Sequence, residues 1–382
     1  MQRLVHPTLI AFDRRWSSFK VLGCLGAVLG ALLGALLAHR RGLALWVVAT
    51  MTAVSLAAAV VQFALAWKLG GSRRLVYYRY EITIVLVLTG LLRLLDQPVL
   101  AYLDIAILGI GTFLVAGRLG CFMVGCCHGI PHELGVHYGA SHVARGFAPY
   151  LVHVRLLPVQ LIEAGGAAVL VVAGVIAVAR GSDPGWVFAA WVVSYGAGRF
   201  HLERLRGDAA RGDIAGFSEA QWTSLVVMVA SVAAGASGLV PLHAWHVALA
   251  SLVGLEMLAI AGLRRLRGTG VHLLSHPRHL DQLARLVVDL GAIASSRGAV
   301  VGTTSLGIRV SLSRSERDGE PPRFTLSRDG APLPEPDART LARWLARFGG
   351  FAGVPWLELR DSGVVHVGFS SPRPTQRDTS LR

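Results

Sequence analysis

Eight apolar stretches follow one another along the first two thirds of the chain, at residues 21–38, 45–67, 81–95, 99–117, 158–179, 185–199, 221–240 and 244–264. A helix crosses a hydrocarbon core of roughly 30 Å with about 20 apolar residues, so the pattern predicts an all-α polytopic membrane protein of seven to eight transmembrane helices. Segments 81–95 and 185–199 are short enough to be tilted or broken. Composition agrees, since 53% of the 382 residues are hydrophobic and only 16% charged, against about a quarter charged in soluble domains.

No small-residue cleavage site follows Arg3, Arg14, Arg15 and Lys20 before His39-Arg40-Arg41, so the first span is expected to stay in the mature chain. Gly26, Gly30 and Gly34 stand at four-residue intervals along it, a seam that lets another helix come close. The formal net charge of +14 fits attraction to anionic lipid headgroups, and no nucleic-acid module is evident. Four cysteines, Cys24, Cys121, Cys126 and Cys127, do not make the spaced framework of a disulfide-rich domain.

The apolar pattern stops at Leu263, and Arg264-Arg265-Leu266-Arg267-Gly268 closes it. Three parts are therefore expected: a transmembrane domain over 1–268, a soluble α+β domain over 269–371 and a flexible tail over 372–382. In 275–291, Leu280, Leu283, Leu286, Val287 and Leu290 share one helical face. Residues 306–313 alternate like a half-buried strand, with a partner around Phe324 and Leu326. A second helix is predicted over 337–348, and two short strands flank Asp361-Ser362-Gly363.

Charges retained at membrane depth are expensive, so they face a cavity or a partner. Arg118, Glu163, Arg199, Glu203 and Glu256 are such charges. Tyr195, Arg199 and Glu203 follow at four-residue steps on one helix face. The Arg199/Glu203 pair is by itself an ordinary i, i+4 ion pair; with Arg118 from another helix end, two guanidinium groups converge on one anion, and arginine's planar fork suits a phosphate. Gln160 and Glu163, three apart behind Pro158, share a face at a helix entry.

Taken together, GRLGCFMVGCCHG (117–129), LPVQLIEA (157–164) and YGAGRFHLERLRGD (195–208) resemble the prolipoprotein diacylglyceryl transferases, and His6-Pro7-Thr8-Leu9 resembles that family's opening. The likeness spans roughly residues 5 to 240. It implies an integral enzyme of the bacterial inner membrane that moves a diacylglyceryl group from phosphatidylglycerol, or a similar anionic phospholipid, to the thiol of a lipobox cysteine or another nucleophile. By this likeness Arg118, Gly120, Gly129, Gln160, Glu163 and Arg199 contact the headgroup, and Arg118, Tyr195, Arg199 and Glu203 take part in catalysis. No cofactor is implied.

The chain also departs from the family pattern. Cys121 and Cys126 replace an asparagine and a glutamate of the signature, Phe19 stands where a tyrosine is expected, and Val76-Tyr77-Tyr78-Arg79-Tyr80 holds no histidine. Cys121, Cys126 and Cys127 have three readings: small residues packed under a headgroup, a nucleophilic or relaying thiolate with His128 as base, or a metal site, against which the C-x4-C-C-H-x3-H spacing argues. The expected catalytic set therefore adds Cys121, Cys126 and His128, and no metal is expected. The departures also support an alternative, an inactive lipid-binding scaffold that anchors the C-terminal module. Lysine and arginine counts put the basic loops and the C-terminal module in the cytoplasm, whereas the family likeness implies an N-terminus outside.

Overall fold

The computed structural model describes residues 5–11, 14–68, 77–152, 154–207, 213–267, 274–293, 300–313, 323–349, 355–360 and 362–369. A short hairpin, β1 (Thr8–Ala11) and β2 (Arg14–Ser17), leads into α1 (Ser18–Arg40). Ser18 fixes that junction, donating its backbone N–H to Pro7 O and its hydroxyl to His6 O at 2.6 Å. The helices α2 (Leu45–Lys68), α3 (Tyr77–Leu94) and α4 (Val99–Val124) follow.

Between α4 and the next long helix lies β3 (Pro131–Val136) with the single turn α5 (Ala140–Val143). Then come α6 (Val159–Ala179), α7 (Trp186–Leu202), the two-residue strands β4 (Asp213–Ile214) and β5 (Phe217–Ser218), α8 (Glu219–Ala236) and α9 (Ala244–Arg267). Each predicted apolar segment falls on one of these helices. Five of them, α1, α2, α4, α6 and α9, are long and apolar enough to cross a membrane; α3, α7 and α8 span 17 or 18 residues.

The glycine seam of α1 packs on α4. A Cβ at Gly30 would stand 2.6 Å from Gly109 O, and one at Gly26 would stand 2.6 Å from the Ala116 Cβ, so the two backbones approach as closely as small residues permit. Asp104, on the same helix α4, is a buried charge the sequence reading did not single out. Its carboxylate accepts from Gly185 N and Phe188 N, each at 2.7 Å, and so caps the start of α7 from a neighbouring helix, satisfying donors that a helix N-terminus leaves open.

Past residue 274 the chain forms α10 (Pro277–Ile293), β6 (Val300–Thr303), β7 (Ile308–Ser313), β8 (Arg323–Arg328), α11 (Glu335–Gly349), β9 (Trp356–Leu359) and β10 (Val365–Gly368). The strands make one antiparallel sheet in the order β6-β7-β8-β10-β9. Both helices and the alternating strands match the sequence expectation; β6 was missed, because 300–303 is short and carries Gly302, over which Leu286 of α10 packs. Residues 372–382 of the expected tail lie outside the described residues.

The apolar core of this sheet and its helices does not stop at the expected boundary. Leu280, Leu283, Leu290 and Phe348 belong to one buried cluster with Val136, Tyr138, Phe147, Leu151, Val154 and Leu156 from the segment between α4 and α6. Arg347 Nη1 adds a hydrogen bond to Pro131 O at 3.3 Å.

Candidate lipid-headgroup site

Arg118 was expected to end its span. Instead α4 continues through Val124, because Leu119, Phe122, Met123 and Val124 keep the segment apolar and helical, so Arg118 and Cys121 lie inside the helix and are buried. The helix stops where Gly125 takes the left-handed conformation, φ 78°, with its N–H returned to Cys121 O. Cys127 is also left-handed, at φ 56°.

The loop after it is clamped on both sides. Gly129 N donates to Leu157 O and Leu157 N to Ile130 O, while Ile130 N reaches Leu205 O and Gly207 N reaches His128 O, all at 2.9 to 3.0 Å. A Cβ at Gly129 would sit 2.6 Å from Leu157 O, and one at Gly207 would sit 2.3 Å from Gly129 O. Glycine is thus required where three backbone segments meet. Gly120 has a related role, for a Cβ there would stand 3.1 Å from the Phe19 Cα.

This clamp draws α4, α6 and α7 around one carboxylate. Glu163 of α6 is fully buried: Arg118 Nε stands 3.0 Å from its Oε2, Arg199 Nε 3.9 Å from its Oε1, and the Tyr195 hydroxyl donates to Oε1 at 2.8 Å. The Arg118 contact is an ion pair too bent to count as a hydrogen bond. Arg199 Nη2 also holds Glu203 at 2.6 Å. Arg199 Nη1 is buried and, among the described residues, has no hydrogen-bond partner. The two guanidinium groups therefore point at a common centre rather than apart.

Arg206 is a third buried arginine within electrostatic reach of Glu163. The sequence reading passed over it as one of several basic residues after α7. The signal was its place in the fold, where an isolated bridge joins it to Gly129. Glu81 was missed too; it accepts from Trp191 Nε1 at 3.1 Å, and Trp191 stacks on Tyr195. Around the same face, Tyr78 shares a 3.0 Å hydrogen bond with Ser224.

Other expected residues are placed differently. The Gln160 amide donates to Cys126 O at 2.7 Å and reaches Tyr138 at 3.4 Å, tying the cysteine turn to α6. Glu256 lies outside the cluster, on α9, where it pairs with Arg204 at 2.7 Å and His201 at 3.5 Å. His128 Nδ1 is 3.0 Å from Gly129 O and its ring packs edge-on against Phe147. Cys121, Cys126 and Cys127 converge on one another, while Cys24 is exposed on α1.

Such a molecule is mostly helical, has five helices long and apolar enough to cross a membrane among its described residues, and gathers buried arginines at one buried carboxylate. Residues 80–236 match the family model of the prolipoprotein diacylglyceryl transferases, so the likeness read from the motifs is borne out over that stretch. The phosphatidylglycerol–prolipoprotein diacylglyceryl transferase of Clostridium tetani (strain Massachusetts / E88) is 31% identical over 137 residues, which cover 36% of this chain and 53% of that protein. Phosphatidylglycerol–prolipoprotein diacylglyceryl transferase 2 of Clostridium perfringens (strain 13 / Type A) is 25% identical over 136 residues, 35% of this chain and 50% of that one. The chain spans about half the length of the curated relatives it matches.

Proposed function

We propose that this protein is a diacylglyceryl transferase of the bacterial cytoplasmic membrane, with seven to eight helices in the bilayer and residues 269–371 as a soluble module outside it. Its donor is an anionic phospholipid of the phosphatidylglycerol kind. Its acceptor is the thiol of a lipoprotein precursor. One observation carries this reading: Arg118 and Arg199 meet at a single buried carboxylate while Arg199 Nη1 lacks a partner among the described residues. A buried donor without an acceptor is rare, and a phosphate oxygen is the acceptor a guanidinium fork suits best.

In this reading the two guanidinium groups hold the phosphate of the donor, with Tyr195 and Glu203 fixing their directions. The acceptor sulfur attacks the glyceryl carbon, the bond from that carbon to the phosphate oxygen breaks, and glycerol phosphate leaves with the electron pair. Charge developing on the departing phosphate is stabilised by the waiting guanidiniums without reorganisation. His128, held beside Gly129 O in the loop that follows the cysteines, takes the thiol proton. Gly120 and Gly129 keep the backbone close enough for the headgroup to be enclosed.

The test uses the purified full chain and a synthetic lipobox peptide with labelled phosphatidylglycerol. Arg199→Ala is expected to lower transfer by at least a hundredfold, the usual scale for losing one charge-stabilising donor. His128→Asn is expected to lower the rate about 10²- to 10⁴-fold while leaving lipid retention intact. If the wild type retains the lipid but transfers nothing, and cannot restore lipoprotein maturation to cells depleted of their own transferase, the protein is the lipid-binding scaffold instead.

A further inference from the structure

Cys121, Cys126 and Cys127 carry a second site. We propose that their three sulfurs bind a soft, thiophilic d10 cation of the copper(I) class. This assignment concerns the sulfurs at the end of α4 and not the phosphate, although Arg118 lies near both.

The sulfur atoms all lie within 4.8 Å of one another. The C-x4-C-C spacing argues against a metal only so long as the segment is taken as a loop. With α4 extending through Val124, Cys121 sits in the last helical turn, and its carbonyl accepts both Gly125 N at 3.0 Å and Cys126 Sγ at 3.8 Å. Gly125 then reverses the chain, and Cys127 follows in a left-handed conformation that a residue with a Cβ seldom adopts. The Gln160 amide pins this turn through Cys126 O. A fold that holds a cysteine at φ 56° and returns its sulfur to two others is built around all three.

Chemistry narrows the occupant. Among the described residues no histidine or carboxylate joins the three sulfurs, and adjacent His128 is turned to Gly129 O. Thiolate ligands select copper(I), zinc or iron–sulfur clusters; zinc closes a four-coordinate shell, whereas three sulfurs satisfy copper(I) alone. Binding breaks three S–H bonds, releases three protons to solvent and forms three metal–sulfur bonds, with no change of oxidation state. The complex then carries two negative charges. Arg206 and Arg118 lie within electrostatic reach of Cys127 and offset them. Cys121 is buried, Cys127 half-buried and Cys126 exposed, which gives the ion an entry from the Cys126 side.

The full chain, reduced and stripped of metal without oxygen, is titrated with copper(I) against a chromophoric copper(I) chelator. The expected result is one copper per chain with three sulfur neighbours by X-ray absorption. Cys126→Ser and Cys127→Ser should each weaken retention at least tenfold, and Cys24→Ser should not change it. Should Cys121→Ser, at the buried position, fail to fold, exposed Cys126→Ser carries the test. No retention against the chelator, fewer than three sulfur neighbours, or equal loss in Cys24→Ser overturns the proposal. So does a parallel zinc titration that holds zinc with three sulfurs and a water while copper(I) is released.

Discussion

Glu163 shows what one residue decides here. Removing one partner of a buried ion pair leaves the other charge uncompensated, at a cost of about 3–5 kcal/mol, and Glu163 serves two arginines at once. Glu163→Gln is therefore expected to lower thermal stability in neutral detergent by that order. Because the guanidiniums are then left to an external anion, added phosphatidylglycerol should restore more stability to the variant than to the wild type, while phosphatidylcholine should not. Equal recovery with both lipids would show that the arginines serve the fold only. A second residue-scale effect sits in the C-terminal module, where buried His279 bonds Leu274 O at 2.8 Å and Thr304 Oγ1 at 3.1 Å. Burial holds its pKa below the ordinary value. A depressed histidine contributes stability that is fully present above about pH 6.5 and lost as pH falls through its folded value. Melting of the full chain from pH 7.5 downward should show this loss, and His279→Gln should remove that part of the pH dependence. At this scale the sequence was most legible for Arg118, Glu163, Arg199 and Glu203, because a charge inside an apolar run announces itself, and Tyr195 followed from its four-residue step to Arg199. Arg206 hid among other basic residues, and Gln160 gave no hint that its partner was a backbone carbonyl.

Among the elements, the pairing of α1 with α4 rests on small residues. Gly30 and Gly109 face each other so closely that a Cβ at Gly30 would meet Gly109 O at 2.6 Å. Gly30→Val is expected to push α1 off α4 at a cost of about 1–3 kcal/mol, read as a lower melting temperature. Gly23→Val, whose Cβ meets nothing within 4 Å, should change little. Four-residue spacing of glycines was enough to read this seam from the sequence. The end of α4 was not readable in the same way: an arginine and a run of cysteines look like a loop, yet the apolar residues between them sustain the helix as far as Gly125. That misplacement of seven residues hid the meeting of the three thiols.

For the whole molecule, the boundary drawn after Gly268 by composition is not where packing divides. Residues 131–156 fall within the expected transmembrane domain over 1–268, yet Val136, Leu151, Val154 and Leu156 share a buried cluster with α10 and α11. His128, Gly129 and Gly207 line a small cleft with Leu280, Asp281 and Phe348, so the module covers the loop that follows the cysteines. Composition reports where a chain turns polar; it does not report which apolar side chains find one another across that turn. Ending the chain at Arg267 should therefore leave α1, α4 and α6 packed but expose the 131–156 segment, seen as faster amide hydrogen exchange there than in the full chain. Unchanged exchange would show that the module does not support the segment.

Whether Arg118 and Arg199 share one phosphate is decided by where a donor lipid binds. A density map of the full chain in a nanodisc containing phosphatidylglycerol should place the headgroup phosphate within hydrogen-bond distance of both Arg118 and Arg199, with Arg199 Nη1 among its donors. A map in which Glu163 alone occupies that space and the lipid phosphate lies elsewhere would contradict it.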